Sequence, residues 1–276
     1  GPGGAADQVL LAGVAKPKHP TAVACRSEAV EEPSDPVRAA DGDDGDGGDS
    51  GSSGFQVPDI PMAEELGDNE GAVSILAWPG YAEDGSTDKS VDWVTPFEKA
   101  TGCKASVKVF NTSDEAVNLM SSGQYDVVSA SGDASLRLIA ASEVAPVNTD
   151  LIPNYADVYD FLKDRDWNSV NGQMYGVPHG RGANLLMYNT KVVSPAPTSW
   201  SAVFPAADKY AGKVTAYDSP IYIADAALYL MNTQPDLGIK NPYALDQDQL
   251  AAAVDVLKKQ RESIGEYWVD YLKQIQ

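Results

Sequence analysis

From Ala72 onward the chain alternates short apolar runs with amphipathic stretches, and this alternation constrains its fold more than any other feature. The runs at 73–78, 105–110 and 125–128 have the length and composition of strands, and apolar residues spaced at helical intervals predict helices between them. Strand–helix units in succession require right-handed crossovers, which place the strands parallel in one sheet. The sequence therefore predicts an α/β fold.

A second set of α/β elements follows an irregular polar stretch at 145–172. Its predicted elements are strands at 173–178 and 183–188 with a turn at 179–182, a helix from Trp200, a strand at 213–217, and helices through Leu230 and at 246–260. Two such sets predict two lobes. We assign residues 72–180 to lobe 1 and residues 181–276 to lobe 2.

For residues 1–71 the sequence predicts a disordered leader followed by an acidic Gly/Ser linker. The stretch at 41–54, DGDDGDGGDSGSSG, can bury no apolar surface and repels itself. The apolar run at 9–15 is typical of a signal-peptide core, and the residues that end at Cys25 resemble a bacterial lipobox, which makes Cys25 a candidate for lipidation. Lys16–Pro20 interrupts the run. Two interpretations therefore remain, a functional lipoprotein leader and a leader whose sequence has been altered.

Composition excludes several classes of function. The net charge of −20, without any cluster of Lys or Arg, argues against nucleic acid as a partner. With 2 cysteines and 2 histidines, a disulfide framework and a metal site are not expected, and Cys103 is interpreted as a small buried hydrophobic residue. No run approaches the roughly 18 apolar residues that span a bilayer. No pattern indicates a cofactor.

Two aromatic residues follow the first strand of lobe 1. Pro79 and Gly80 stop that strand, so Trp78 and Tyr81 lie in the loop at its carboxyl end. Ligands of open α/β sheets bind at this edge, and aromatic faces suit an alkyl chain or an ammonium group. The alternative is that both rings only cap a core.

Two further loops offer polar groups at strand ends. Ser131, Gly132 and Asp133 follow the third strand and lead into a helix, where backbone N–H groups and hydroxyls can face a ligand. The loop lacks the Gly-Lys-Ser/Thr ending of a phosphate loop. Asp218 occupies the corresponding loop of lobe 2. We expect these residues to meet the aromatic pair in a crevice between the lobes.

The run from Ala72 to the end resembles the periplasmic spermidine/putrescine-binding protein family, the substrate-binding subunits of ABC importers. The motifs that carry the resemblance are, in chain order, Trp78-x-x-Tyr81, Phe97 to Gly102, Tyr125 to Val128, Tyr175 to Pro178, Asn184 to Asn189 before Lys191, Pro197 to Trp200, and Tyr210 to Val214. The resemblance implies a type II periplasmic-binding fold, in which two α/β lobes close on a ligand by a hinge motion.

The resemblance also implies roles for individual residues. The family's aromatic sandwich falls on Trp78 and Tyr81, and its third-strand loop falls on 130–132. Its second-lobe carboxylates fall within one residue of Asp218 and near Tyr222.

Three positions depart from the family pattern. Gly80 and Tyr222 stand where acidic residues are expected, and Arg181 lies close to the predicted crossing between the lobes. A cleft with fewer carboxylates and a guanidinium would suit a zwitterion better than a dication. The alternative is that Arg181 is a surface residue paired with a neighbouring carboxylate.

The predicted function is that of an ABC importer's substrate-binding component, at the periplasm or cell surface, that captures a small amine such as spermidine or putrescine. Its partners would be permease subunits, with a lipid anchor if Cys25 is modified. The alternatives are a binder of a zwitterion such as γ-aminobutyrate, an enzyme that uses Asp133 or Asp218 as acid and base, and a structural surface protein.

Family members continue beyond the segment that corresponds to Tyr267–Leu272. The resemblance therefore implies that the second lobe, and the return of the chain to the first lobe, are incomplete here. Weak stability and weak binding are expected for such a chain.

Overall fold

The computed structural model describes residues 7–14, 22–24, 59–205 and 208–275. Its strands are β1 (Asp7–Val14), β2 (Ala22–Ala24), β3 (Leu66–Asn69), β4 (Ala72–Ala77), β5 (Lys104–Val109), β6 (Val127–Ala130), β7 (Ser169–Val170), β8 (Gln173–Met174), β9 (Gly176–Ala183), β10 (Val214–Tyr217) and β11 (Ile264–Trp268). Its α-helices are α1 (Val94–Thr101), α2 (Ser113–Met120), α3 (Gly132–Ala140), α4 (Ile221–Thr233) and α5 (Gln247–Gln260). Short 3-10 helices lie at Thr149–Leu151, Pro153–Asp157, Asp160–Leu162, Trp200–Ala202, Asp208–Tyr210, Pro235–Leu237, Arg261–Ser263 and Tyr271–Ile275.

The main sheet has the strand order β5-β4-β6-β1-β9. β4 is parallel to both β5 and β6, as the successive strand–helix units require. β1 is antiparallel to β6 on one side and to β9 on the other, so β9 runs in the same direction as β4, β5 and β6. The predicted α/β class is confirmed.

β1 lies inside the range for which the sequence predicts a disordered leader. Leu11 pairs with Ala130 of β6 and with Pro178 of β9, so the strand fills a central position in the sheet. The leader prediction is wrong for β1, and also for the short parallel pair β2–β3. A brief apolar run fits a strand paired on both sides as well as it fits a signal-peptide core, and periodicity does not separate the two. The acidic linker at 41–54 lies outside the described residues.

The core of lobe 1 lies between the main sheet and the helices α2 and α3. Its fully buried side chains include Leu76, Phe110, Val128 and Leu138. α2 begins with a side-chain cap, since the Thr112 hydroxyl accepts a hydrogen bond from the Glu115 N–H.

The core of lobe 2 is built from α4, α5 and the segment around Phe204, and the parallel pair β10–β11 belongs to the same lobe. Leu230 of α4 and Ala253 of α5 are fully buried in it. α5 begins with a capping box, in which the Asp246 carboxylate accepts from the Gln249 N–H and the Gln249 side chain accepts from the Asp246 N–H. This agrees with the predicted helix at 246–260.

The segment between the two cores differs from the prediction. β9 continues through 179–182, where a turn was predicted, because the Gly180–Gly182 stretch pairs with β1. No strand forms at 184–193 in the described structure, although one was predicted at 183–188. We call residues 184–193 the crossing segment, since they lead from the sheet of lobe 1 to the core of lobe 2.

Candidate functional site

A cavity of about 840 Å³ lies between the two lobes. This volume is within the range of pockets that hold small organic molecules. Lobe 1 contributes the loop after β4 and Asn111, the crossing segment contributes one side, and lobe 2 contributes β10, the start of α4 and Trp268. The walls are mostly apolar and aromatic. Among the described residues that line it, Asp225 is the one acidic side chain and Lys213 the one basic side chain.

Trp78 and Tyr81 form the lobe 1 wall, as expected for the end of β4. The Tyr81 N–H donates to the Trp78 carbonyl at 3.1 Å, and Gly80 provides the positive φ of 85° that this turn needs. The Trp78 ring also lies 4.6 Å from the Phe110 ring, between centroids, so it covers the core and lines the cavity at once. The Tyr81 ring contacts His179, and burial raises the pKa of Tyr81 and lowers that of His179.

The start of α4 forms the lobe 2 wall. Ile221 and Asp225 are one helical turn apart and share the face of α4 that lines the cavity. Tyr222 lines the cavity beside Ile221. The Tyr222 hydroxyl accepts a hydrogen bond from Gln260 Nε2 at 2.9 Å, and the same nitrogen donates to the Val203 carbonyl at 3.0 Å. Burial raises the pKa of Tyr222, so this phenol stays neutral.

Asp225 is held by the crossing segment. Asn184 Nδ2 donates to its Oδ1 at 2.7 Å. Burial raises the pKa of Asp225 to about 7, the Asn184 hydrogen bond lowers it, and the negative charge of Asp133 raises it. The carboxyl therefore titrates close to neutral pH.

The loop at 131–133 lies outside the cavity wall. Ser131 Oγ donates to Asp133 Oδ1 at 2.6 Å, and Ser131 is buried at the start of α3. Gly132 is packed so closely that an added Cβ would lie 2.7 Å from Cδ2 of Tyr243. The small residues of this loop thus allow the segment around Tyr243 to pack against lobe 1.

Asp218 and Arg181 also lie apart from the aromatic pair. Asp218 lines a second cavity of about 490 Å³, with Thr112 and Asp114, on another side of Tyr222. The Arg181 guanidinium lies 5.7 Å from the centre of the Phe161 ring. The structure therefore brings together Trp78, Tyr81 and Tyr222 of the predicted set, and it places the 131–133 loop, Asp218 and Arg181 elsewhere.

Side-chain hydrogen bonds join the lobes beside the second cavity. The Tyr217 hydroxyl donates to the Asn111 carbonyl at 2.7 Å, and the Ser113 and Ser219 hydroxyls lie 3.0 Å apart. Desolvation raises the pKa of Tyr217 to about 12, so the phenol remains a donor at neutral pH. These bonds stabilise the arrangement of the lobes in this structure.

Removing the interlobe bonds should open the protein. We expect the double variant Tyr217→Phe with Ser219→Ala to shift the ratio of closed to open lobes about tenfold, because each hydrogen bond contributes about 0.5–1.5 kcal/mol. Small-angle X-ray scattering would show a larger radius of gyration. Tyr229→Phe is the matched control, since Tyr229 packs in the lobe 2 core. An unchanged scattering profile of the double variant would contradict this role.

Comparison with known proteins shows to which family the chain belongs. Residues 92–276, about two thirds of the chain, match the family of bacterial extracellular solute-binding proteins. The chain belongs to this family of solute-binding proteins. The family implies a periplasmic or extracellular location.

Two of the solved structures that resemble this solute-binding protein are spermidine/putrescine ABC transporter proteins. A spermidine/putrescine ABC transporter protein from Listeria monocytogenes superposes with a TM-score of 0.50 at 15% identity, over 72% of this chain and 57% of that one. The spermidine/putrescine ABC transporter substrate-binding protein PotD from Streptococcus pneumoniae superposes with a TM-score of 0.45 at 17% identity, over 74% and 58%. The first similarity supports the two-lobed fold. The chain spans 57–58% of the length of these two structures.

Sequence reasoning missed two polar residues of this solute-binding protein's cavity. Asp225 is the one charged residue of α4, in the otherwise apolar stretch IYIADAALYLM. A lone carboxylate one helical turn beyond Ile221 was a detectable signal, because it shares a face with the start of the helix. Asn184 gave no such signal, since its contact with Asp225 depends on how the crossing segment folds.

Cys103 differs in one respect from its interpretation as a small buried hydrophobic residue. It is fully buried, as predicted, but it is disulfide-bonded. The other cysteine of the sequence, Cys25, lies outside the described residues, and the three residues before it in the predicted lipobox form β2. Among the described residues, no helix is long and apolar enough to cross a membrane, and no group of three or more His, Cys, Asp or Glu side chains could hold a metal ion.

Proposed function

We propose that the chain captures a small solute with an ammonium group in the interlobe cavity, as the substrate-binding component of an ABC importer. The observation that supports this most is the composition of the walls. Trp78, Tyr81 and Tyr222 present aromatic surface around a cavity in which Asp225 is the one acidic residue of the part of the chain that the structure describes. Aromatic faces attract an ammonium group by cation–π interaction and bury its alkyl chain.

Spermidine and putrescine are the first solutes to test. Their alkyl chains fit between aromatic walls, and both solutes appear in the names of the Listeria and Streptococcus proteins. The permease subunits of an ABC transporter would be the partners, and the 840 Å³ cavity has room for a short polyamine.

A zwitterion such as γ-aminobutyrate is the second candidate. The cavity offers Lys213 as a basic side chain in addition to the acidic Asp225. One charge of each sign favours a solute with both an ammonium and a carboxylate over a dication. Lys213 takes over the part that the sequence analysis assigned to Arg181, because Arg181 lies outside this cavity.

Two other hypotheses receive less support. Asp133 and Asp218 do not line the cavity, so an enzyme that uses them as acid and base would lack a shared site for its substrate. A lipid anchor requires a free thiol on Cys25. A disulfide bond between Cys25 and the disulfide-bonded Cys103 would leave no such thiol.

Titration calorimetry with spermidine, putrescine, γ-aminobutyrate and proline tests the proposal. We expect saturable binding of at least one amine, with NMR showing the ligand unchanged afterwards. Trp78→Ala should weaken that binding by about tenfold because it removes an aromatic face. Trp93→Ala is the matched control, since Trp93 is exposed and does not line the cavity. Absence of binding for all four ligands, or their chemical conversion, would overturn the proposal.

A further inference from the structure

Asp225 is the one charged residue of the apolar helix α4, and it lies in the cavity wall that this helix forms. The other side of α4, which includes Leu230, packs against Phe204 and α5, so the carboxyl is directed away from the lobe 2 core and toward the cavity. None of the ion pairs among the described residues includes Asp225. A partly buried carboxyl without a cation costs folding free energy, which points to a ligand that supplies the positive charge.

We propose that Asp225 is the specificity-determining residue for the ammonium group of the solute, and that solute binding releases the proton of its carboxyl to the solvent. The inference rests on the proposed function and deepens it. In the free protein the carboxyl is largely neutral below pH 7. In the complex, Asp225 is a carboxylate that accepts a hydrogen bond from the ammonium group.

The position of Asn184 fixes the carboxyl in both states. Its amide donates to Asp225 Oδ1 at 2.7 Å and leaves Oδ2 available to the solute. Because Asn184 begins the crossing segment, this hydrogen bond also depends on the relative position of the lobes. Asn184 is therefore a positioning residue, which presents the carboxyl when the lobes are closed.

The direction of the pH dependence follows from the titration of Asp225. Its pKa is raised to about 7, so ionisation must accompany amine binding below that value. Affinity should then rise by up to tenfold per pH unit between pH 5 and pH 7, and level off above it. The amine itself stays protonated in this range, because alkylammonium groups titrate near pH 10.

Other titratable groups face this part of the molecule. They are Asp133 at the start of α3, Lys213 just before β10, Tyr217 at the end of β10, Tyr222 on α4, Tyr267 on β11, and His179 beside Tyr81. Burial lowers the pKa of His179 from 6.5, so this side chain also changes charge within the pH range of the measurement. The variant His179→Gln therefore separates its contribution from that of Asp225.

The decisive comparison is Asp225→Asn against Asp218→Asn, measured with putrescine and γ-aminobutyrate between pH 5.5 and 8.5. Both variants remove one negative charge from lobe 2, but Asp218 lines the second cavity. We expect Asp225→Asn to weaken binding by about ten- to hundredfold at pH 8 and to flatten the pH profile. Asp218→Asn should keep the profile of the unmodified protein.

Proton release and stability give two independent readouts. Calorimetry in buffers of different ionisation enthalpy should show about one proton released at pH 6 by the unmodified protein and none by Asp225→Asn. Without ligand, the raised pKa of Asp225 destabilises the fold increasingly from about pH 4, where the carboxyl ionises in the unfolded chain, to about pH 7, so Asp225→Asn should raise the Tm at pH 8 and not at pH 4.

The outcomes separate the inference from the proposed function. If the unmodified protein binds an amine and Asp225→Asn binds it equally well with the same pH profile, the inference is wrong and the proposed function stands. If the unmodified protein binds none of the amines, both are wrong. If His179→Gln alone removes the pH dependence, the proton comes from His179 and the inference is also overturned.

Discussion

A chain that lacks residues 1–14 is expected to lose the cooperative unfolding transition of lobe 1. β1 pairs with β6 through Leu11–Val14 and with β9 through Asp7–Gly13. A net backbone hydrogen bond contributes about 1 kcal/mol, so a strand of 8 residues paired on both sides approaches the roughly 5–15 kcal/mol that stabilise a whole domain. Urea titration followed by circular dichroism measures the loss.

The control for this deletion is removal of residues 1–6, which precede β1. That variant should unfold as the full chain does. Addition of the peptide DQVLLAGV to the larger deletion should restore part of the transition, because it supplies the missing strand to the open edges of β6 and β9. If the deletion of 1–14 unfolds cooperatively at the same urea concentration as the full chain, β1 is not part of the folded sheet.

Leu230→Ala is expected to destabilise lobe 2 by about 3–5 kcal/mol, because Leu230 is fully buried and the substitution leaves a cavity. The loss should lower the Tm by about 10 °C. Leu230 packs in the same core as Tyr222, so solute binding should weaken as well. Differential scanning calorimetry and the binding titration described above measure both effects.

Leu250→Ala is the matched control for Leu230→Ala. Leu250 is also a helical leucine, on α5, but its side chain is exposed. A surface substitution of this kind should change stability by less than about 0.5 kcal/mol. Equal losses in the two variants would show that the lobe 2 core is not formed as described.

The sequence predicts the strand–helix units of lobe 1 well because each unit is local. The strand at 73–78 ends at Pro79, and Gly102 ends α1 in a left-handed conformation, with its N–H bonded to the Glu98 carbonyl. Burial on α1 was predicted less well. The spacing of Trp93, Val94, Phe97 and Ala100 predicts one apolar face on this helix, but Trp93 and Phe97 are exposed and Val94 is the buried residue of α1. The spacing of apolar residues predicts that a helix forms. It does not predict which face of that helix a neighbouring element covers.

Contacts between distant segments could not be predicted. The paired strands β1 and β9 lie far apart in the sequence, so no local pattern specifies their pairing. The cavity shows the same division. Trp78 and Tyr81 follow from the end of one strand, whereas the hydrogen bond between Asn184 and Asp225 depends on how the crossing segment and α4 meet. Tertiary packing decides these positions, and local propensity does not.

The antiparallel insertion of β1 also sets the order in which the molecule can assemble during synthesis. Asp7 is synthesised long before its partner Ala183. Until then β1 can pair with β6, β6 with β4, and β4 with β5, but the other edge of β1 has no partner. Long-range pairing of this kind slows folding, so the nascent chain carries an unpaired edge on β1 until β9 has been synthesised.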